Sequence, residues 1–103
     1  MELSLKDLKE LFNETNKKQS FLEVGENYLI RTVTMIYTGK LKKEIDDSIL
    51  LSNCCWIPET KRWHNTLQEC DFTEVEPYIN DVIIYKGCII DITKLEKLPR
   101  EQK

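Results

Sequence analysis

The chain has 103 residues, of which 41% are hydrophobic and 32% charged, enough for one compact core and too few for a second, so a single domain over residues 1–103 is expected. Fifteen basic against eighteen acidic residues give a net charge of −3, which excludes a generally basic nucleic-acid binder and confines any phosphate contact to a local patch. The same composition excludes wholesale disorder.

Ser4 and Asp7 have the spacing of a capping box, with Asp in place of Glu, and Leu5, Leu8, Leu11 and Phe12 follow on one face. Lys6–Glu10 and Glu14–Lys18 add pairs four residues apart on the other face, so the spacing predicts a helix over 4–18. Because this beginning is charged and amphipathic, no signal peptide is expected, and no apolar run approaches the roughly 18 residues of a membrane span. A cytoplasmic location without membrane association follows as an expectation. There Cys54, Cys55, Cys70 and Cys88 would be reduced thiols.

The run from Tyr28 to Tyr37 is rich in β-branched and aromatic residues and predicts a strand, with Gly39 just beyond it permitting a bend or bulge. A second strand is expected through Leu41 and Ile45. Asp46, Asp47 and Ser48 supply turn chemistry, and Ile49 to Trp56 reads as a third strand completing a meander. Pro58 interrupts the pattern, so 57–76 reads as a long insertion with a short helix opening at Glu59–Lys61 and ending near Leu67. Val82 to Ile92 predicts two short strands joined at Gly87, and the polar tail 99–103, opened by Pro99, is expected to be loosely held.

This order of elements resembles that of the Sm-like superfamily, the LSm and bacterial Hfq proteins. Tyr37 to Leu51 (YTGKLKKEIDDSILL) resembles the first Sm signature, in which a glycine bends the second strand and an acidic turn leads into an apolar third. Ile83 to Ile92 (IIYKGCIIDI) resembles the second, an apolar strand ending in a basic residue and glycine before another apolar strand. The resemblance implies a mainly β fold with an N-terminal helix, a strongly bent five-stranded small barrel, and a ring-shaped homo-oligomer in which the last two strands pair with the neighbouring subunit. Ile30 to Gly39 also resembles small uncharacterised bacterial and phage proteins. RNA or nucleotide binding is what the Sm likeness implies. The turn Asp46-Asp47-Ser48 departs from the family's RNA loop in being doubly acidic and lacking Asn, and Lys86 lacks the planar guanidinium that stacks on a base.

The candidate ligand-binding residues are Trp56, Lys61, Arg62, Trp63 and His64 in and beside the insertion, with Lys86 and Gly87 from the second signature. Two indoles beside cations could stack on a base while the charges meet phosphate. Alternatively, the tryptophans pin the insertion to the sheet and the cations are solvated, the commoner role of tryptophan. Lys40, Lys42 and Lys43 form a basic stripe that reads either as a pore lining or as a strand edge guarded by lysine. A zinc set from Cys54, Cys55, His64 and Cys70 is disfavoured, because adjacent cysteines on a strand point to opposite faces and no C-x-x-C knuckle is present. One histidine and no recognisable nucleophile motif argue against an enzyme, and no cofactor is expected. The two functional readings are a ring-forming Sm-like protein that binds RNA or a nucleotide, and a protein-interaction or scaffold subunit. The second includes a phage-encoded factor directed at its host or sequestering a signalling nucleotide.

Overall fold

A computed structural model of the chain describes residues 20–103. The helix expected over 4–18 lies outside the described residues. Six antiparallel strands follow one another as β1 (Asn27–Thr32), β2 (Ile36–Glu44), β3 (Ser48–Thr60), β4 (Phe72–Pro77), β5 (Val82–Tyr85) and β6 (Ile89–Lys94). A seven-residue helix, α1 (Trp63–Glu69), joins β3 to β4, and a 3-10 turn, Lys86–Cys88, joins β5 to β6. The strand order is β4-β3-β2-β1-β6, with β5 also paired to β3. The fold is thus mainly β, as expected, but its sheet has six strands and is not closed.

Three local departures from the expected elements have physical causes. The Tyr28–Tyr37 run is two strands rather than one, because the chain turns at Val33-Thr34. With no glycine or proline there, the Thr32 hydroxyl makes the turn, donating to the Met35 carbonyl at 2.8 Å and accepting from the Met35 N–H at 2.9 Å. Pro58 does not end β3. It sits beyond the last β2 pair, Tyr37–Trp56, and within the irregular register that separates the Trp56–Glu76 and Glu59–Glu74 pairs of β4, where no ladder N–H is required of it. The region 57–76 therefore supplies a sixth strand as well as the short helix. The tail after Leu98 is drawn onto β4 instead of hanging loose: Val75 and Lys103 exchange both backbone hydrogen bonds at 2.9 Å.

The core has two parts, one on each face of the sheet. Tyr28, Ile30, Leu41, Ile49, Leu51, Cys54 and Ile84 form one cluster; Leu29, Cys55, Ile57, Cys70, Phe72, Val75 and Leu95 form the other. A bulge lets β3 serve both. Between the Thr38–Cys55 and Lys40–Ser52 pairs, Asn53 and Cys54 oppose Gly39 alone, and Asn53 takes a positive φ of 50° that asparagine tolerates better than most residues. The extra residue inverts the alternation, so odd-numbered Ile49 and Leu51 face the first cluster while odd-numbered Cys55 and Ile57 face the second. Gly39 is required at this point by close approach: a Cβ there would lie 3.0 Å from the Cβ of Leu51.

Because β3 is long, it holds β5 along Ser48–Leu51 and β4 along Cys55–Thr60. Each of β4, β5 and β6 pairs with one other strand of the described structure, leaving an outer edge. On β4 that edge is partly covered by the Lys103 bridge.

Candidate functional site

The residues singled out from the sequence do not converge on one site. Trp56 lies on the β3 face opposite Cys55 and Ile57, whereas Trp63 stands beside Arg31, a β1 residue that alternates away from Ile30 on the other side of the sheet. The two indoles are therefore separated by the sheet itself.

Trp63 opens α1 and presents its ring to the Arg31 guanidinium, 5.4 Å from the ring centroid. Arg31 is also held by Asp91 of β6, donating from Nε to Oδ1 at 2.8 Å and from Nη2 to Oδ2. The hydrogen bond from Arg31 holds the Asp91 carboxyl below its usual range. Trp63, Arg31 and Asp91 thus form a completed cation–π and ion-pair stack that joins α1 to two strands. Here Trp63 acts as an anchor, with its indole face already occupied.

Lys61 is likewise engaged, with Nζ 2.6 Å from Asp71, and Lys103 reaches the same carboxylate at 2.8 Å. These two ammonium groups, each hydrogen-bonded to it, hold the Asp71 carboxyl well below the ordinary range. The Lys61 N–H also donates to the Thr66 hydroxyl at 3.0 Å, closing the turn into α1. Arg62 and His64 flank Trp63 as exposed side chains. The helix ends at Cys70, whose backbone adopts the left-handed conformation while its side chain enters the second core cluster.

Lys86 and Gly87 lie at the β5–β6 turn. Lys86 Nζ is 2.7 Å from Glu44 Oε2, and this hydrogen bond, followed by one from Ser20, lowers the Glu44 carboxyl pKa. Both ends of that pair line a mostly apolar recess of about 400 Å³ with Phe21, Leu22, Ile49, Ile89 and Ile92. The Lys86 N–H donates to the Asp47 carbonyl at 2.8 Å, so the acidic turn and the β5–β6 turn are tied together. Gly87 is surrounded by open space and lies outside the left-handed region, so neither sterics nor backbone conformation demands glycine there. The lysine stripe is divided, with Lys42 bound to Asp81 at 2.8 Å while Lys40 is exposed.

Cys54 and Cys55 point into separate clusters, as strand alternation requires. Burial, and then the neighbouring Cys55, pushes the Cys54 thiol up to about 12, and burial raises Cys55 as well. Both are poor nucleophiles and poor metal ligands in the folded protein. Among the described residues no three His, Cys, Asp or Glu side chains gather around a common point, and no helix is long and apolar enough to cross a membrane.

Trp56 has a different environment. It sits in a row of cross-strand neighbours, Tyr37 of β2, Trp56 of β3 and Glu76 of β4. Tyr78 follows just after β4, its N–H bonded to the Cys54 carbonyl at 2.9 Å, and its ring is 6.2 Å from that of Tyr37. Trp56, Glu76, Pro77 and Tyr78 line an open recess of about 200 Å³. Sequence reasoning identified Trp56 but missed Tyr37, Glu76 and Tyr78, because only the pairing of three strands brings them together. Arg31 carried a local signal, as a lone charge inside the apolar run YLIRTV, although its partners Trp63 and Asp91 are distant in sequence.

No family model matches the chain, and comparison with curated proteins and with solved structures returns no match.

Proposed function

We propose that this chain is a non-enzymatic protein-interaction subunit that self-assembles in the Sm-like manner, pairing the outer edge of β5 in one copy with that of β6 in the next. The observation that carries this reading is the character of these two strands. Ile83 and Tyr85 of β5 are 60% and 63% exposed and Ile90 of β6 is 61% exposed, on strands whose outer edges have no partner among the described residues. Unpaired edges bearing large apolar side chains invite addition of another strand unless something blocks them. The β4 edge has its block in the tail; the β5 and β6 edges have none of the described residues across them. Since one edge meets a different edge, the contact is heterologous, and repetition about an axis closes a ring.

The likeness in element order, with a 3-10 turn between the last two strands, supports an Sm-like small barrel. The electrostatics favour a protein partner over RNA. Arg31, Lys42, Lys61 and Lys86 each spend their charge on a carboxylate, and the two indoles do not form a common platform. A ligand phosphate would have to displace those carboxylates before meeting a cation.

Sedimentation velocity of the purified full chain, compared with an Ile83→Lys/Ile90→Lys variant, tests the reading. The expected result is a discrete oligomer that the double variant converts to monomer while near-native circular dichroism persists. A wild-type monomer at every concentration would sink the assembly claim. Salt-sensitive micromolar binding of labelled RNA by the wild type would restore the nucleic-acid reading in place of the protein one.

A further inference from the structure

Both tryptophans have a carboxylate nearby, Trp63 through Arg31 and Trp56 across the strand pair, and only the first group contains a cation. At Trp63 the arrangement is complete: the Arg31 guanidinium contacts the indole and is hydrogen-bonded to Asp91. At Trp56 the indole and the carboxylate of Glu76 occupy paired positions on β3 and β4, on one face of the sheet. No basic side chain of the described residues forms an ion pair with Glu76, whose contacts are two long ones from the Gln102 amide at 3.3 and 3.5 Å. Tyr78, 44% exposed, forms a second aromatic wall, with Tyr37 behind it.

We propose that the recess formed by Trp56, Tyr78 and Glu76, buttressed by Tyr37, binds the guanidinium of an arginine side chain presented by another protein. This deepens the protein-interaction reading by naming what the partner offers. A guanidinium fits the elements present: its plane stacks on an indole or phenol face, and its N–H fork matches a carboxylate, as Arg31 demonstrates within the same molecule. An ammonium is more strongly hydrated and has no plane to stack, so lysine is the weaker ligand. The recess is firmly supported. Tyr37 donates its hydroxyl to Met35 Sδ at 3.1 Å, and the Tyr78 backbone is bonded to β3. Burial, and secondarily Tyr78, raises the Tyr37 pKa, so that phenol stays neutral.

The test uses the full chain carrying Trp63→Phe, which leaves Trp56 as its one indole. N-acetylarginine methylamide is titrated in and the fluorescence of Trp56 followed, with N-acetyllysine methylamide as comparator. The expected result is saturable binding on the order of millimolar, at least about threefold weaker for the lysine probe and at least about threefold weaker again in Glu76→Gln. The same titration in the Ile83→Lys/Ile90→Lys background should give unchanged affinity, so failure of assembly and failure of this site are separately visible. Absence of a saturable change up to about 100 mM arginine probe, or equal binding by Glu76→Gln, would overturn the proposal. Tyr78→Ala, altering an exposed wall outside both core clusters, serves as the second variant and should also weaken binding.

Discussion

Replacing Gly39 by alanine tests the bulge that lets one strand feed two cores. An added Cβ would lie 3.0 Å from Leu51 Cβ and 3.1 Å from Leu51 Cδ1, against an ordinary carbon–carbon separation of about 3.5–4.0 Å. The nearer atom is fixed to the β3 backbone, so a rotamer change of Leu51 relieves only part of the overlap and the two strands must move apart. Overpacking of this kind costs about 1–3 kcal/mol, offset by about 0.4–1 kcal/mol from the lower entropy of the unfolded chain. Taking the middle of each range, the net expectation for Gly39→Ala is a loss of about 1.3 kcal/mol, a fall of roughly 5–10 °C in Tm for a domain of this size. Gly87→Ala is the internal control: its Cβ would meet nothing within 4 Å, so stability should be unchanged or up to about 1 kcal/mol higher. Urea unfolding of both variants, read by tryptophan fluorescence, is the assay. If Gly39→Ala were as stable as the wild type, or Gly87→Ala the worse of the two, the reasoning about the bulge would be refuted.

Further outcomes follow from the same structure. Because adjacent Leu29 and Ile30 are both fully buried but in different clusters, alanine at either position should cost about 2–5 kcal/mol in urea unfolding; a mild effect at one of them would show that its face of the sheet is not a core. In the native protein, a chromogenic disulfide reagent at neutral pH should react first with the partly exposed Cys88, and with Cys54 and Cys55 only on unfolding; fast release from all four thiols would contradict the buried assignment. The Asp71 carboxyl is held below its ordinary value of 3.8 by Lys103 and Lys61, so its contribution to stability is present above that value and lost as pH falls through and below it. Asp71→Asn should therefore flatten the decline of Tm between about pH 5 and pH 2, and an unchanged acid limb would remove this clamp from the account.

Alternation and turn chemistry revealed the strand-rich class, the two successive short strands β5 and β6, the bulge near Gly39 and the divergence of Cys54 from Cys55, because each depends on residues close in sequence. The Thr32 turn was hidden because a threonine hydroxyl did the work usually signalled by glycine or proline. Strand β4 was hidden because its partner residues, Cys55 to Thr60, contain Pro58, and its register with them is irregular. The candidate site shows the same division. Trp56 and Trp63 stood out by type, but the acidic partners that give them opposite character, Glu76 without a cation and Asp91 with Arg31, come from strands distant in sequence. Lys61 stands beside the indoles along the chain and Lys86 lies well beyond them, and the carboxylates that neutralise both lysines became visible only in the fold.

Assembly through β5 and β6 can be read from hydrogen exchange at two protein concentrations. A lone edge strand leaves about half of its amides unpaired and fast to exchange. Peptides covering Val82–Tyr85 and Ile89–Lys94 should be almost fully protected at high concentration and lose about half of that protection on dilution. Peptides from Phe72–Pro77 should stay constant, because the tail of the same chain partly covers that edge. Half-protection of β5 and β6 at every concentration would contradict assembly through them.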